Sequence, residues 1–301
     1  MAVLATAGVL VLGACSSGNG PDGDADGSAT GTATTTTTPR EAIPAPIGAA
    51  SECAPGSGKT MTANMLTIAT DTPAYEPWFV GNDPANGQGF EGAVARRVAH
   101  RLGYTPDQIT FVSVPFNEAL TPGDKPFDFD INQVTILDQR REAVDFSSPY
   151  YSVAQSVVAL KDNPAADAQT LADLTSFRLG AQVDSTSLKA IVETIGPTAP
   201  VKSYPTNDAV KHALATGEVD AMVVDLPTGF QIVESQVEGA TLVGQFPRPN
   251  SVTESFGLVL EKNSPLTPCV SAAVDSLYAD GVLDALVGKW LTDTGGARLL
   301  D

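Results

Sequence analysis

The chain has 301 residues, of which 43% are hydrophobic, and its 35 acidic against 17 basic residues give a formal net charge of −18. Such an acidic chain lacks the cationic surface that binding to a phosphate backbone requires, so nucleic acid is excluded as a partner. The hydrophobic fraction suffices for two core-forming units once the chain ends are set aside.

The first residues predict export and a lipid anchor. Residues 1–14 are an apolar run, too short to span a bilayer as a mature helix, and we interpret them as a signal peptide. Leu12-Gly13-Ala14-Cys15 resembles a lipoprotein cleavage site, so Cys15 is expected to become the lipidated N-terminus. The alternative, a buried strand with an ordinary cysteine, is disfavoured by the segment that follows.

That segment, residues 15–51, is built of Gly, Ser, Thr, Asp, Ala and Pro and includes five consecutive threonines. It has too few large apolar residues to offset the entropy of ordering, so we predict a flexible tether. The sequence PGSGKT at Pro55–Thr60 is similar to a phosphate-binding loop but has Cys53 where that motif needs glycine. It is predicted to be an ordinary loop, and no cofactor or metal is expected.

The first predicted strand, residues 65–70, ends at Asp71, and ligands collect beyond such strand ends in open α/β sheets. Tyr75 and Trp78 follow, and each could instead pack in a core. Gly89 begins a predicted amphipathic helix with Val94, Val98 and Leu102 on one face. Beyond the next strand lies Phe116, for which a core position is the alternative.

The segment from Asp128 to Tyr151 is the most informative part of the chain. FDFDINQVTI mixes apolar and polar residues in near alternation, which predicts a strand carrying Gln133 and Thr135. Arg140 follows, and its planar fork of donors suits a carboxylate. Alternatively, Arg140 and Arg141 are both solvated loop charges.

Two polar positions stand out in the second half. Ser185, Thr186 and Ser187 precede a predicted helix, where they could cap the helix or bind an anion. Asp225 ends a predicted buried strand, and it could bind a cation or cap the helix that starts at Pro227.

These segments, in this order, resemble the family 3 extracellular solute-binding proteins, the polar amino-acid receptors of ABC transporters. Residues 135–140 match the family's T-I-T-P-E-R-like segment, and VDFS, PYY, GFE and ADGVLDALVGKWL match other family motifs. The resemblance covers residues 66–291. Leu137, Asp138 and Gln139 depart from the first motif, and Ser185 replaces a glycine of the family's carboxylate-binding segment.

The resemblance implies a two-lobed α/β fold of the periplasmic-binding-protein-like type II class, with the ligand cleft between the lobes. Lobe one is expected to comprise residues 52–157 plus 255–301, and lobe two residues 158–254. Because an exported protein meets oxidising conditions, Cys53 and Cys269 are expected to form a disulfide across lobe one.

The implied function is capture of a small polar solute, most simply an amino acid, for an ABC permease at the outer face of the bacterial cell membrane. The protein is expected to be a monomer that meets the membrane only through its lipid. The resemblance implies that Arg140 and Thr186 bind a carboxylate and Asp225 an ammonium group. The full implied ligand-binding set is Asp71, Tyr75, Phe116, Gln133, Thr135, Arg140, Thr186 and Asp225.

Two other functions remain open from sequence. A dehydratase-like enzyme could use the same scaffold, with Asp71 or Glu76 as a general acid. However, both histidines are predicted on helix surfaces and no nucleophile–base pair is visible, so no enzyme is predicted. A ligand sensor would share the pocket and differ only in its membrane partner.

Overall fold

The computed structural model describes residues 52–247, 254–291 and 297–301. The signal peptide, Cys15 and the tether up to residue 51 lie outside the described residues, and they stay predictions.

The described strands form two five-stranded sheets and one two-stranded ribbon. Their bounds are β1 Leu66–Thr70, β2 Ile109–Ser113, β3 Phe129–Asp130, β4 Val144–Phe146, β5 Tyr151–Val153, β6 Gln155–Leu160, β7 Leu179–Gln182, β8 Lys202–Tyr204, β9 Ala221–Asp225, β10 Ala240–Gln245, β11 Glu254–Phe256 and β12 Val259–Glu261.

The α-helices connect these strands, together with short 3-10 and π-helical turns. None of the helices in the described ranges combines the length and the apolar character that crossing a membrane requires. The α-helices are α1 Phe90–Arg101, α2 Phe116–Ala119, α3 Asp138–Arg141, α4 Thr186–Ala190, α5 Asn207–Ala215, α6 Leu226–Gln231, α7 Thr267–Ala279 and α8 Val282–Trp290.

We call lobe one the sheet with strand order β2-β1-β3-β12-β4 and the helices packed on it. β1 pairs in parallel with β2 and β3, and α1 lies in the β1–β2 crossover that parallel strands need. The predicted stripe of Val94, Val98 and Leu102 is buried in the lobe-one core. Gly89 precedes α1 at φ 89°, and a Cβ there would lie 2.3 Å from the Trp78 carbonyl oxygen, so this turn requires glycine.

A disulfide closes lobe one. Cys53, in the loop before β1, is joined to Cys269 in α7, with their Cα atoms 5.7 Å apart. Both residues pack with the same hydrophobic core, and the predicted pairing is present.

We call lobe two the sheet with strand order β10-β6-β9-β7-β8 and its helices. β7 runs parallel to β8 and β9, whereas β6 is antiparallel to β9 and β10. Separate apolar clusters cover the two faces, one around Ile191 and the other around Val210. A strand buried on both faces reads as a continuous apolar run, as the first four residues of β9 do.

The chain passes from lobe one to lobe two through β5 and β6 and returns through β11. β5 and β11 pair antiparallel and form the ribbon between the sheets.

The C-terminal end corrects the expected lobe boundary, which placed residues 255–301 in lobe one. Leu299 instead forms a parallel bridge with Gln245, and Leu300 is fully buried in the lobe-two core. Leu300 fits over Gly244, where a Cβ would lie 2.8 Å from its Cγ. Packing of a single leucine against a distant glycine has no local sequence signal.

The predicted strand FDFDINQVTI is also shorter than expected, because β3 contains only Phe129 and Asp130. Gln133 adopts a left-handed backbone with φ 49°. Its N–H donates to Glu91 Oε1 at 2.7 Å, so a side chain of α1 takes the place of a neighbouring strand. The bond satisfies a backbone donor that would otherwise be buried and unpaired.

Candidate functional site

One cleft between the lobes gathers all eight residues of the implied ligand-binding set. Elements of both lobes line it: Asp71, Tyr75, Phe116, Asn132, Gln133, Thr135, Arg140, Gln182, Ser185, Thr186, Ser187, Asn207, Val224 and Asp225.

Arg140, on the short helix α3, is held at the cleft wall by both lobes. Nη1 donates to the Thr135 carbonyl and Nη2 to the Asp184 carbonyl, both at 2.8 Å. The guanidinium also lies over the Phe116 ring, 5.5 Å from its centroid. Burial lowers the pKa of Arg140 to about 10, so the group stays a cation at neutral pH. It therefore presents a fixed positive charge to the cleft.

The hydroxyls of Thr135 and Thr186 meet across the cleft with 3.4 Å between their oxygens. Thr186 is the first residue of α4, and Ser185 is its N-cap, with Oγ accepting from the Leu188 N–H at 3.1 Å. Capping is thus performed by Ser185, while the Thr186 hydroxyl faces lobe one.

Asp225, at the end of β9, is held by Gln155 at the start of β6. Gln155 Nε2 donates to Asp225 Oδ1 at 2.8 Å and to Glu254 Oε2 at 2.9 Å. Burial, followed by the charge of Glu254, raises the pKa of Asp225 to about 8. Asp225 is the N-cap residue of α6, but its side chain makes no capping bond there. Its carboxyl group is consequently available to the cleft.

Asp71 follows β1 and organises the neighbouring loop. Its Oδ1 accepts from the Thr72 N–H at 2.7 Å, and its Oδ2 accepts from the Phe116 N–H at 3.1 Å. Phe116 is nearly buried and packs with a small core cluster while also lining the cleft. The two alternatives for Phe116, core and cleft, therefore coexist.

Tyr75 and Trp78 both connect the lobes. The Tyr75 hydroxyl accepts from the Asp208 N–H at 3.2 Å, and burial raises the pKa of Tyr75 to about 12. Trp78 is fully buried in the lobe-one core, and its Nε1 donates to Thr228 Oγ1 at 2.8 Å. Trp78 is accordingly a core residue and Tyr75 a cleft residue.

Gln133 is tied to a buried carboxylate behind the cleft. Its side-chain amide donates to Glu91, which also accepts from the Tyr150 hydroxyl. Burial raises the pKa of Glu91 to about 7 despite these two bonds and the bond from the Gln133 backbone N–H. Gln133 therefore lines the cleft while its amide nitrogen donates a hydrogen bond to Glu91.

The implied ligand-binding set left out six of the lining residues. Gln182 is the last residue of the parallel strand β7, and Asn207 is the first residue of α5. Ligand clefts in α/β sheets lie beyond the carboxyl ends of strands, which is where Gln182 is found. Applying the strand-end rule to every predicted parallel strand would have found Gln182. The residues not singled out for the ligand are Asn132, Gln182, Ser185, Ser187, Asn207 and Val224.

The arrangement can hold a small molecule that carries opposite charges. A fixed cation, Arg140, and a carboxyl group, Asp225, line the same enclosed space. Neither His100 nor His212 is among the lining residues. In the described ranges no group of three or more His, Cys, Asp or Glu side chains is arranged to hold a metal ion.

The chain is similar to known proteins over most of its length. Residues 66–293 match the family model of bacterial extracellular solute-binding proteins, family 3. The L-cystine-binding protein TcyJ of Escherichia coli (strain K12) is 27% identical over 219 residues, which is 72% of this chain and 79% of the relative.

Two solved structures extend the comparison. An ancestral arginine-binding protein bound to arginine is 28% identical, with a TM-score of 0.62, covering 75% of this chain and 98% of the other. The ancestral amino acid-binding protein AncCDT-1, described as a precursor of cyclohexadienyl dehydratase, is 25% identical with a TM-score of 0.62, covering 75% and 95%. The two-lobed fold predicted from sequence is confirmed.

Proposed function

Because this chain belongs to the bacterial extracellular solute-binding proteins of family 3, we propose that it captures an amino acid outside the cytoplasm and delivers it to an ABC importer. The observation that carries the proposal is that Arg140 and Asp225 line one enclosed cleft. An amino acid is a zwitterion, and an enclosed zwitterion needs both of its charges paired, because an unpaired buried charge is costly.

In the proposed binding mode, the α-carboxylate lies against Arg140 with the hydroxyls of Thr135 and Thr186 beside it. Two of the five N–H donors of Arg140 bond to the carbonyls named above, and the others serve the ligand. The α-ammonium group lies against Asp225, whose carboxyl Gln155 orients. Tyr75 and Phe116 supply aromatic surface for the rest of the ligand.

Capture rather than catalysis is supported by the relatives, whose names describe binding proteins. One solved neighbour is a precursor of a dehydratase, and it is itself described as an amino acid-binding protein. Carboxyl groups are among the residues that line the cleft, but no histidine is among them that could act as the second member of an acid–base pair.

The function is tested by a thermal-shift screen of the residue 52–301 domain against the common amino acids, followed by titration calorimetry. We expect at least one amino acid to raise the melting temperature and to bind with one-to-one stoichiometry. The bound compound should be recovered unchanged by mass spectrometry. A screen in which no amino acid binds, or recovery of a new product, contradicts the proposal.

The location of the protein is a separate proposal that rests on residues outside the described ranges. We expect Cys15 to be lipidated, which would hold the receptor near its permease at the outer face of the membrane. Cys15→Ser should move the protein from the membrane fraction to the medium or periplasm. Retention of the Cys15→Ser protein in the membrane fraction would contradict the lipid anchor.

A further inference from the structure

Asp225 shares its hydrogen-bond donor with a second carboxylate. Gln155 Nε2 donates to Asp225 Oδ1 at 2.8 Å and to Glu254 Oε2 at 2.9 Å, so one amide nitrogen holds one oxygen of each acid. Gln155 is buried, and its Oε1 accepts from the Ser187 hydroxyl at 2.6 Å. Both N–H donors and the oxygen of this amide are therefore used, which fixes its orientation.

Glu254 belongs to the segment that joins the lobes. It is the first residue of β11, where it pairs with Val153 of β5. Its side chain is partly exposed, and it is not among the cleft-lining residues named above. The Gln155 amide thus links Asp225, a carboxyl group of the cleft, to a carboxylate of the ribbon between the sheets.

The charge of Glu254 acts on both charged residues of the proposed binding mode. Burial is the largest cause of the raised pKa of Asp225, and the charge of Glu254 is the next. Burial lowers the pKa of Arg140, and Glu254 exerts the largest of the effects that oppose this. Glu254 therefore disfavours a second negative charge at Asp225 and favours the positive charge of Arg140.

Other groups around Asp225 come from several elements. Glu91 on α1 raises its pKa further, whereas the Gln155 amide and Arg140 on α3 lower it. Tyr150, which precedes β5, also lies within range of its charge. The resulting pKa of about 8 leaves Asp225 mostly protonated in the empty cleft at neutral pH.

An arriving ammonium group therefore meets a pair of carboxyl groups, one of which is mostly protonated. The ammonium group carries a full charge and three N–H donors, and its charge favours ionisation of Asp225. Until Asp225 loses its proton, the negative charge of the pair is that of Glu254. Asp225 alone does not supply the charge that the ammonium group needs at neutral pH.

We propose that Glu254 is a positioning carboxylate of the ammonium site, joined to Asp225 by the Gln155 amide, so that the pair rather than Asp225 alone recognises the ammonium group of the ligand. This inference rests on the proposed function and adds a residue to the same site. Asp225 makes the contact in the cleft, and Glu254 contributes its charge from the ribbon.

The two partners of Asp225 should move its titration in opposite directions. Glu254→Gln keeps the side-chain shape and removes a charge that raises the pKa of Asp225, so this pKa should fall. Gln155→Met removes a bond that lowers the pKa, which should therefore rise. NMR titration of the Asp225 carboxyl carbon in the empty residue 52–301 domain measures both changes. Glu238→Gln, at an exposed position of lobe two, is the matched control and should leave the pKa unchanged.

Binding measurements should show that Glu254 acts on the ammonium end of the ligand. L-arginine, L-histidine, L-glutamine and L-glutamate are titrated by calorimetry beside the acids that lack only the ammonium group: guanidinovalerate, imidazolepropionate, glutaramate and glutarate. At pH 8.5, Glu254→Gln should weaken an amino acid that binds by about fivefold, and it should not weaken the matching acid. Gln155→Met should weaken the amino acid at least about tenfold. Glu238→Gln should bind both compounds as the wild type does.

Three results would overturn the inference. These are an unchanged pKa of Asp225 in Glu254→Gln, pKa shifts of the same sign in the two variants, and equal weakening of an amino acid and its matching acid by Glu254→Gln. Because Glu254 is partly exposed and glutamine keeps its shape, that variant decides the matter alone if Gln155→Met does not fold.

Failure of the inference is distinguishable from failure of the proposed function. If amino acids bind and Glu254→Gln changes neither their affinity nor the pKa of Asp225, the inference fails while the proposed function stands. If none of the four amino acids binds, the titration of Asp225 decides the inference, and the screen described above decides the proposed function.

Discussion

At the scale of single residues, Arg140 has two roles. It bonds to a carbonyl of each lobe, and it lines the cleft. Its neighbour Arg141 is exposed and lies 5.6 Å from the centroid of the Phe146 ring. The pair therefore contains one cleft residue and one surface residue.

Replacing Arg140 by Lys should keep the charge and lose the planar fork. Truncation of a buried charged partner costs about 2–5 kcal/mol in binding, so we expect the dissociation constant to rise by more than about tenfold. Titration calorimetry with the amino acid found in the screen measures the change. Arg141→Ala is the control and should bind normally; loss of binding in Arg141→Ala with Arg140→Lys unaffected would reverse the two assignments.

Asp225 should make ligand binding dependent on pH. Its carboxyl, with a pKa of about 8, is largely protonated at pH 6, and an ammonium group binds the ionised form. Affinity should therefore increase from pH 6 to pH 8.5, by at most about tenfold per unit. In Asp225→Asn, binding should be weaker and the pH profile flatter. A flat wild-type profile would show that the ammonium group binds elsewhere.

Several residues at the cleft were predictable because they are polar or charged residues within short segments that resemble family motifs. Arg140, Thr186 and Asp225 follow this pattern, and all three line the cleft. Gln155 and Glu254 were not predicted, because Gln155 reaches both Asp225 and Glu254 through bonds between residues far apart in the chain.

At the scale of elements, hydrophobic periodicity predicted α1, β1 and β9 well, because each buries a face or a run that is continuous in sequence. The same reasoning overextended β3, since the side chain of Glu91 on α1 redirects the backbone at Gln133. Local patterns do not contain such contacts between a helix side chain and a distant backbone group.

The disulfide should stabilise lobe one without shaping the cleft. It closes a span of 216 residues, for which the chain-entropy model gives about 5 kcal/mol as an upper figure. The double variant Cys53→Ala/Cys269→Ala should melt at a lower temperature and bind its ligand with unchanged affinity. A reductant should lower the melting temperature of the wild-type domain and leave the variant unaffected. Two reactive thiols in the denatured, unreduced domain would contradict the pairing.

At the scale of the whole molecule, contacts between the lobes are distributed along the cleft. Trp78 bonds to Thr228, Tyr75 to Asp208, and Arg140 to the Asp184 carbonyl. The Trp78–Thr228 bond is fully buried, so loss of the hydroxyl would leave a buried indole N–H unpaired. An unpaired donor of this kind costs about 1–3 kcal/mol.

Thr228→Val should therefore favour separation of the lobes. We expect small-angle scattering to show a larger radius of gyration for the ligand-free variant, and calorimetry to show affinity weakened several-fold. Thr110→Val, at an exposed position of β2, is the matched control and should change neither quantity. A Thr228→Val domain as compact as wild type and equal in affinity would mean that this bond does not govern closure.

The attachment of residues 297–301 to lobe two has a practical consequence. The described body begins beside Cys53, which is fixed in lobe one, and ends at Asp301, next to the buried Leu300 of lobe two. The two ends of the described body thus belong to two different lobes, and lobes of this kind move relative to each other when the cleft between them opens. A donor fluorophore at one end and an acceptor at the other would report occupancy directly, with no insertion into either lobe.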